Sequence, residues 1–170
     1  MTRARKVLGR VTFVGAGPGD PGLLAIRARE ALSRADVVFA DSGVSAAVTA
    51  LASGEVRVVD TSPADTAKLV LAEARSGLSV VRLVAGDPLS DDGTVKEAFA
   101  VAKTVVPFDI VPGVPTGLGA AAYAGVPYGS IRTQVDVDDP AVLDYEALAT
   151  APGTLVLTVP AAEARSLSEQ

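Results

Sequence analysis

The stretch Val11–Leu24, VTFVGAGPGDPGLL, limits most sharply what this chain can fold into. Val11, Phe13 and Val14 are β-formers and read as a short strand. Gly15, Gly17, Gly19 and Gly22 follow, interspersed with Pro18, Asp20 and Pro21, and a helix is expected from Leu23 onward. A strand that empties through a glycine-rich turn into a helix belongs to an open α/β sheet. Such sheets bind ligands beyond the C-terminal ends of their strands. The turn is not a dinucleotide fingerprint. Gly15 and Gly17 fit G-x-G-x-x-G, but Asp20 occupies the third glycine position and would set a negative charge beside phosphates. Pro18 also lacks the N–H that a pyrophosphate site would use. An ordinary strand-to-helix turn remains the alternative.

Composition removes several kinds of chemistry. The chain has no Cys and no His, so a disulfide, a thiolate nucleophile, a Cys/His zinc site and a His-based triad are all excluded. Net charge is −5, and four of the fifteen basic residues (Arg3, Arg5, Lys6, Arg10) lie in the first ten. The acidic body this leaves is a poor polyanion binder, so no nucleic-acid partner is expected. No apolar run reaches membrane length, and the basic start lacks the apolar core of a signal peptide. A cytoplasmic protein with a basic leader at 1–10 is expected. The acidic stretch Asp136, Asp138, Asp139, Asp144 and Glu146 reads as a solvated surface rather than a metal site.

Strands and helices alternate along the chain. Strands are expected near Val11–Val14, Asp36–Asp41, Val56–Val59, Leu78–Val84 and Phe108–Val111. Helices should fill 23–34, 45–52, 64–76 and 94–103, with Gly77 stopping the third. Residues 11–112 therefore predict one parallel α/β domain, with the Gly15–Gly22 and Ala85–Pro88 turns side by side at its C-terminal edge. Beyond Pro112-Gly113, helices at 117–124 and 141–149 and strands at 131–137 and 154–159 predict part of a second α/β domain over 113–170.

Three blocks carry a resemblance to a known family: Val14-Gly15-Ala16-Gly17-Pro18-Gly19-Asp20-Pro21; Val81-Arg82-Leu83-Val84-Ala85-Gly86-Asp87-Pro88; and Val111-Pro112-Gly113-Val114-Pro115 running to Val126-Pro127. In this order and spacing they resemble the tetrapyrrole (corrin/porphyrin) methylases, most closely the uroporphyrinogen-III C-methyltransferases. Ala35–Asp41 is similar to the family's second strand, which ends in an acidic residue. The resemblance implies two α/β domains with a cleft between them, the second incomplete here, and a homodimer. It implies S-adenosylmethionine as methyl donor, with contacts at Pro18, Ala85, Gly86, Asp87, Ser90, Pro115, Thr116 and Val159, and no metal. For Asp87 a second role is open, since Asp commonly ties down its own turn. The implied reaction is methyl transfer to a carbon of a tetrapyrrole, as in siroheme and cobalamin biosynthesis. Asp41 is the candidate base, or else a helix N-cap or turn residue.

The departures bear on activity. Ser42 stands where the family has a basic residue, and Asp60-Thr61-Ser62 where it has a lysine. An arginine- and glycine-rich loop has become Ser90-Asp91-Asp92-Gly93-Thr94, and the usual methionine is Val159. Fewer cations disfavour capture of a polycarboxylate. The alternative is thus a catalytically inactive methylase-like domain that docks a uroporphyrinogen-III synthase, as in actinobacterial fusions that look similar. A relative that methylates ribosomal RNA is disfavoured by the acidic body.

Overall fold

A computed structural model of the chain describes residues 7–137 and 139–168. Most of the basic leader, up to residue 6, and Asp138 of the acidic stretch lie outside the described residues. The chain divides into two compact units, the boundary falling after Pro115.

The first unit contains a five-stranded parallel sheet in the order β3-β2-β4-β1-β5. Its strands are β1 (Arg10–Gly15), β2 (Val37–Asp41), β3 (Glu55–Val59), β4 (Ser79–Val84) and β5 (Phe108–Val111). Between them run α1 (Ile26–Arg34), α2 (Ala46–Thr49), α3 (Pro63–Ser76) and α4 (Asp92–Ala102). Strands covered on both faces lose the polar/apolar alternation, which is why β2 and β4 read as nearly continuous apolar runs. Alternation still sorts their side chains. Phe13, Val37, Phe39 and Val80 pack with Val70, Leu71 and Ala74 of α3 and with Ala98 and Val101 of α4. Val14, Val38, Ala40, Val81 and Leu83 pack on the other face with Ala28 and Leu32 of α1 and with Val48 of α2.

Local signals set the helix ends. Ser62 accepts from the Asp65 N–H and opens α3, and Gly77 closes it at φ 105°. The first helix begins later than its sequence predicts. Asp20 instead caps a single 3-10 turn, Pro21–Leu23, and the extended Leu24 and Ala25 delay α1 to Ile26.

At the C-terminal edge of this sheet, backbone packs on backbone. A Cβ on Gly113 would overlap Gly86 O and lie 2.8 Å from Gly15 Cα. All of these neighbours are main-chain atoms that cannot swing aside. Gly113→Ala should therefore destabilise the first unit by about 3 kcal/mol. Urea unfolding checks this, and a variant as stable as the parent would show that the edge can spread.

The second unit holds α5 (Thr116–Tyr123), β6 (Arg132–Asp136), α6 (Tyr145–Ala149), β7 (Thr154–Thr158) and α7 (Ala161–Ser168). Strands β6 and β7 pair in parallel. The single helix expected over 141–149 is broken. Asp139 caps a 3-10 turn at Pro140–Val142 and Asp144 caps α6, so two members of the acidic stretch serve as N-caps.

Candidate active site

The two sharp turns of the sequence meet. Strands β1 and β4 are neighbours, so the chain leaves the sheet twice at adjacent points, and Gly17 and Gly86 form an antiparallel bridge between the exits. Each donates its N–H to the other's carbonyl, at 3.1 and 2.9 Å. Both carry positive φ, 67° and 64°, which favours glycine. Asp87 performs the turn-tying role: its Oδ1 accepts from Leu89 N at 2.9 Å and its Oδ2 from Gly113 N at 3.0 Å. One carboxylate thereby ties its own turn to the loop at Gly113, and the Gly17–Gly86 bridge brings the first glycine turn to the same edge. Ser90 closes the same turn by donating to Asp87 O. Around the bridge, Pro18 is half-buried and Ala85 and Ser90 are exposed.

The edge suits an uncharged adenosine better than a diphosphate. The amides of Gly17 and Gly86 are committed to each other, and Gly22 N donates to Asp20 Oδ1 at 2.7 Å. A pyrophosphate would need those amides, whereas an adenosine and a methionyl tail need close backbone approach without a charged cradle. Pro115 closes the first unit, while Thr116 opens α5 and Val159 follows β7 in the second.

Asp41 ends β2. It is not a helix cap: Ser45 caps α2, and Asp41 contributes its main-chain oxygen to the intervening turn. Its side chain has another partner. Asp41 lies two residues beyond Phe39, and Phe39 stands opposite Arg82 of β4, so all three side chains share the face under α4. Arg82 Nη2 donates to Asp41 Oδ1 at 2.5 Å. The same guanidinium meets Glu97 of α4 through Nε at 2.6 Å and Nη2 at 3.1 Å. Its Nη1 reaches the carbonyl oxygens of Leu83 at 3.2 Å and Phe39 at 3.5 Å. Arg82 is 4% exposed and Glu97 3%. A buried charge is tolerable only when paired and hydrogen-bonded, and the Arg82–Glu97 pair meets that condition.

The electrostatics follow from burial and pairing. Burial pushes the Asp41 carboxyl above the usual aspartate range, against the pull of Arg82, and Asp91 adds to the rise. Burial raises Glu97 as well, in spite of Arg82. For Arg82 burial works against the charge, but Glu97 and Asp41 outweigh it and the guanidinium stays charged. Asp41 is therefore a partly buried carboxylate of enhanced basicity at the C-terminal edge of the sheet, the property a general base requires.

Sequence reading missed Arg82 and Glu97. The available signal was a charge inside an otherwise apolar strand, Val80-Val81-Arg82-Leu83-Val84, which has to be neutralised wherever it is buried. The acidic loop also has a structural use. Asp91 Oδ2 accepts from Thr94 N at 2.6 Å and from Thr94 Oγ1 at 2.7 Å, capping α4. Burial opposes the Asp91 charge, but these bonds outweigh it and hold the carboxyl below its ordinary value. The stability this cap contributes is present above the ordinary aspartate pKa and is lost as pH falls through the lowered one. Asp91→Ala should cost about 1 kcal/mol at neutral pH. The deficit should shrink in acid, read from unfolding midpoints at two pH values.

The family model for the Tetrapyrrole (Corrin/Porphyrin) Methylases matches residues 10–170. The chain belongs to this family. A siroheme synthase of Yersinia enterocolitica is 36% identical across 95% of the chain, and one of Klebsiella pneumoniae is 33% identical across all of it. The chain spans 38% and 40% of the lengths of these two relatives. Among solved structures, a uroporphyrin-III C-methyltransferase of Thermus thermophilus complexed with S-adenyl homocysteine superposes with a TM-score of 0.72 at 34% identity. That match covers 88% of this chain and 65% of the other. The five-stranded parallel sheet is thus the sheet of a tetrapyrrole methylase. No helix among the described residues is long and apolar enough to cross a membrane.

Proposed function

We propose that this chain carries the methyl-donor site and the base of an S-adenosylmethionine-dependent C-methyltransferase that acts on a tetrapyrrole of the uroporphyrinogen-III class, in siroheme or cobalamin formation. The observation that supports it most is Asp41, presented at the sheet edge with one oxygen fixed by a buried arginine. When bound, S-adenosylmethionine supplies an electrophilic methyl group. Pro18, Ala85, Gly86, Asp87 and Ser90 would hold it in the first unit, and Pro115, Thr116 and Val159 are the remaining contacts of this reading. Asp41 takes up, at Oδ2, the proton that the ring system releases after methylation. Fixing Oδ1 on Arg82 orients the acceptor, so positioning and a raised basicity act together.

A second reading is favoured by the loop chemistry. Asp60, Asp91 and Asp92 stand where the resemblance leads one to expect cations, and the nearby Arg82 is already neutralised by two carboxylates. In that reading the domain docks a uroporphyrinogen-III synthase and transfers no methyl group. Calorimetry with S-adenosylhomocysteine, followed by mass spectrometry of uroporphyrinogen III incubated with the protein and S-adenosylmethionine, separates the two. Binding with methylated product supports the transferase. No methylated product at any acceptor concentration, from a folded protein, supports the docking module.

A further inference from the structure

We propose that Glu97 is a positioning residue for Asp41: by occupying one side of the Arg82 guanidinium it limits that group to a single bond with Asp41 and leaves Oδ2 available to take a proton. The inference rests on the reading of Asp41 as the base. The geometry carries it. Arg82 distributes its donors over three directions, to Glu97, to Asp41 Oδ1 and to the carbonyls of Phe39 and Leu83. Among the described residues, Asp41 Oδ2 takes no hydrogen bond, and the Asp41 side chain is 34% exposed against 5% and 4% for Arg82 and Glu97.

A guanidinium prefers to grip a carboxylate at both oxygens. Facing Asp41 alone, Arg82 would turn its fork toward it, and a carboxylate held at both oxygens is a weak base. Glu97 takes that bidentate position from above, out of α4, and is itself 3% exposed. Its charge also acts on Asp41. The charged groups facing Asp41 are Arg82 from β4, Glu97 from α4 and Asp91 from the N-terminus of α4. The Asp41 charge makes Glu97 harder to ionise, and repulsion between like charges is mutual. Glu97 therefore offsets the pull of Arg82.

The test uses the purified protein and Glu97→Gln, which keeps the shape and removes the charge. Two readouts are required. Carboxyl ¹³C NMR should show Asp41 titrating about one pH unit lower in E97Q, and the acid limb of the methyl-transfer rate should move down with it. The maximal rate should fall by up to about tenfold, the limit for a base weakened by about one unit, while S-adenosylhomocysteine affinity stays within about twofold. Glu97→Asp, which retains the charge, should return the limb to its original place. An unmoved Asp41 titration in folded E97Q overturns the proposal. If E97Q does not fold, the unmodified protein decides: coupled two-step titration of Asp41 and Glu97 supports it, and two independent single-step curves overturn it. Should Asp41→Asn retain full turnover, the base reading fails, while the Asp41 titration in E97Q still reports on the positioning.

Discussion

Replacing Arg82 by leucine should destabilise the protein by about 3–5 kcal/mol at neutral pH, the usual cost of removing one partner from a buried ion pair. Leucine fits the apolar strand, so the penalty does not come from shape. It comes from Glu97, left in the core without the guanidinium that donates to both its oxygens, and from Asp41 beside it. The pH dependence has a definite sign. Both carboxyls already sit above their ordinary values through burial, and loss of Arg82 removes the one group that lowers them. A carboxyl raised in the folded state favours folding most at low pH, and that contribution is lost as pH rises through the folded value. The deficit of R82L relative to the parent should therefore be greatest at pH 7 and shrink toward pH 4–5. Urea unfolding at both ends of that range measures it. Adding Glu97→Leu to R82L should recover most of the loss, because an apolar pair replaces an unpaired charge. A single variant within about 1 kcal/mol of the parent at pH 7 would mean that water reaches the cluster and the pair is not truly buried.

Asp41→Asn should reduce methyl transfer by about 100- to 10,000-fold, the usual contribution of a positioned base. Asparagine can still accept from Arg82 at Oδ1, and Glu97 still neutralises the guanidinium, so folding should change little. S-adenosylhomocysteine affinity should also hold, since Asp41 is not among the proposed donor contacts. The pH profile supplies the sharper criterion. In the parent the rate should fall in acid as Asp41 takes a proton, with the limb above the usual aspartate range. In the variant the residual rate should lack that limb. Wild-type turnover by folded D41N would move the base elsewhere, and an acid limb that persists in the variant would assign it to another group.

These two residues also mark what was legible in the chain. Asp41 could be picked out because it ends an apolar strand, Val37–Ala40, that reads as buried on both faces and matches the acidic end of the family's second strand. That both glycine turns lie at the C-terminal edge was legible too, since both end strands of one parallel sheet; that Gly17 and Gly86 bridge there required β4 to be the neighbour of β1. Element boundaries were less so. The delayed start of α1 and the break before α6 depend on which Asp captures which N–H, a choice between near-equal local capping bonds.

By itself, then, the sequence determined the alternation of strand and helix, the glycine turns and the absence of Cys and His chemistry. Each of these arises from a residue and its near neighbours. Only the tertiary structure decided that β4 lies between β1 and β2, that Asp87 reaches Gly113, and that Asp41 shares Arg82 with Glu97. Asp41 and Arg82 are 41 positions apart in the chain. The charge in β4 signalled that a partner must exist. Which partner it finds depends on strand order, on register and on where α4 crosses the sheet, and these are set by the packing of the whole unit rather than by any local run of residues.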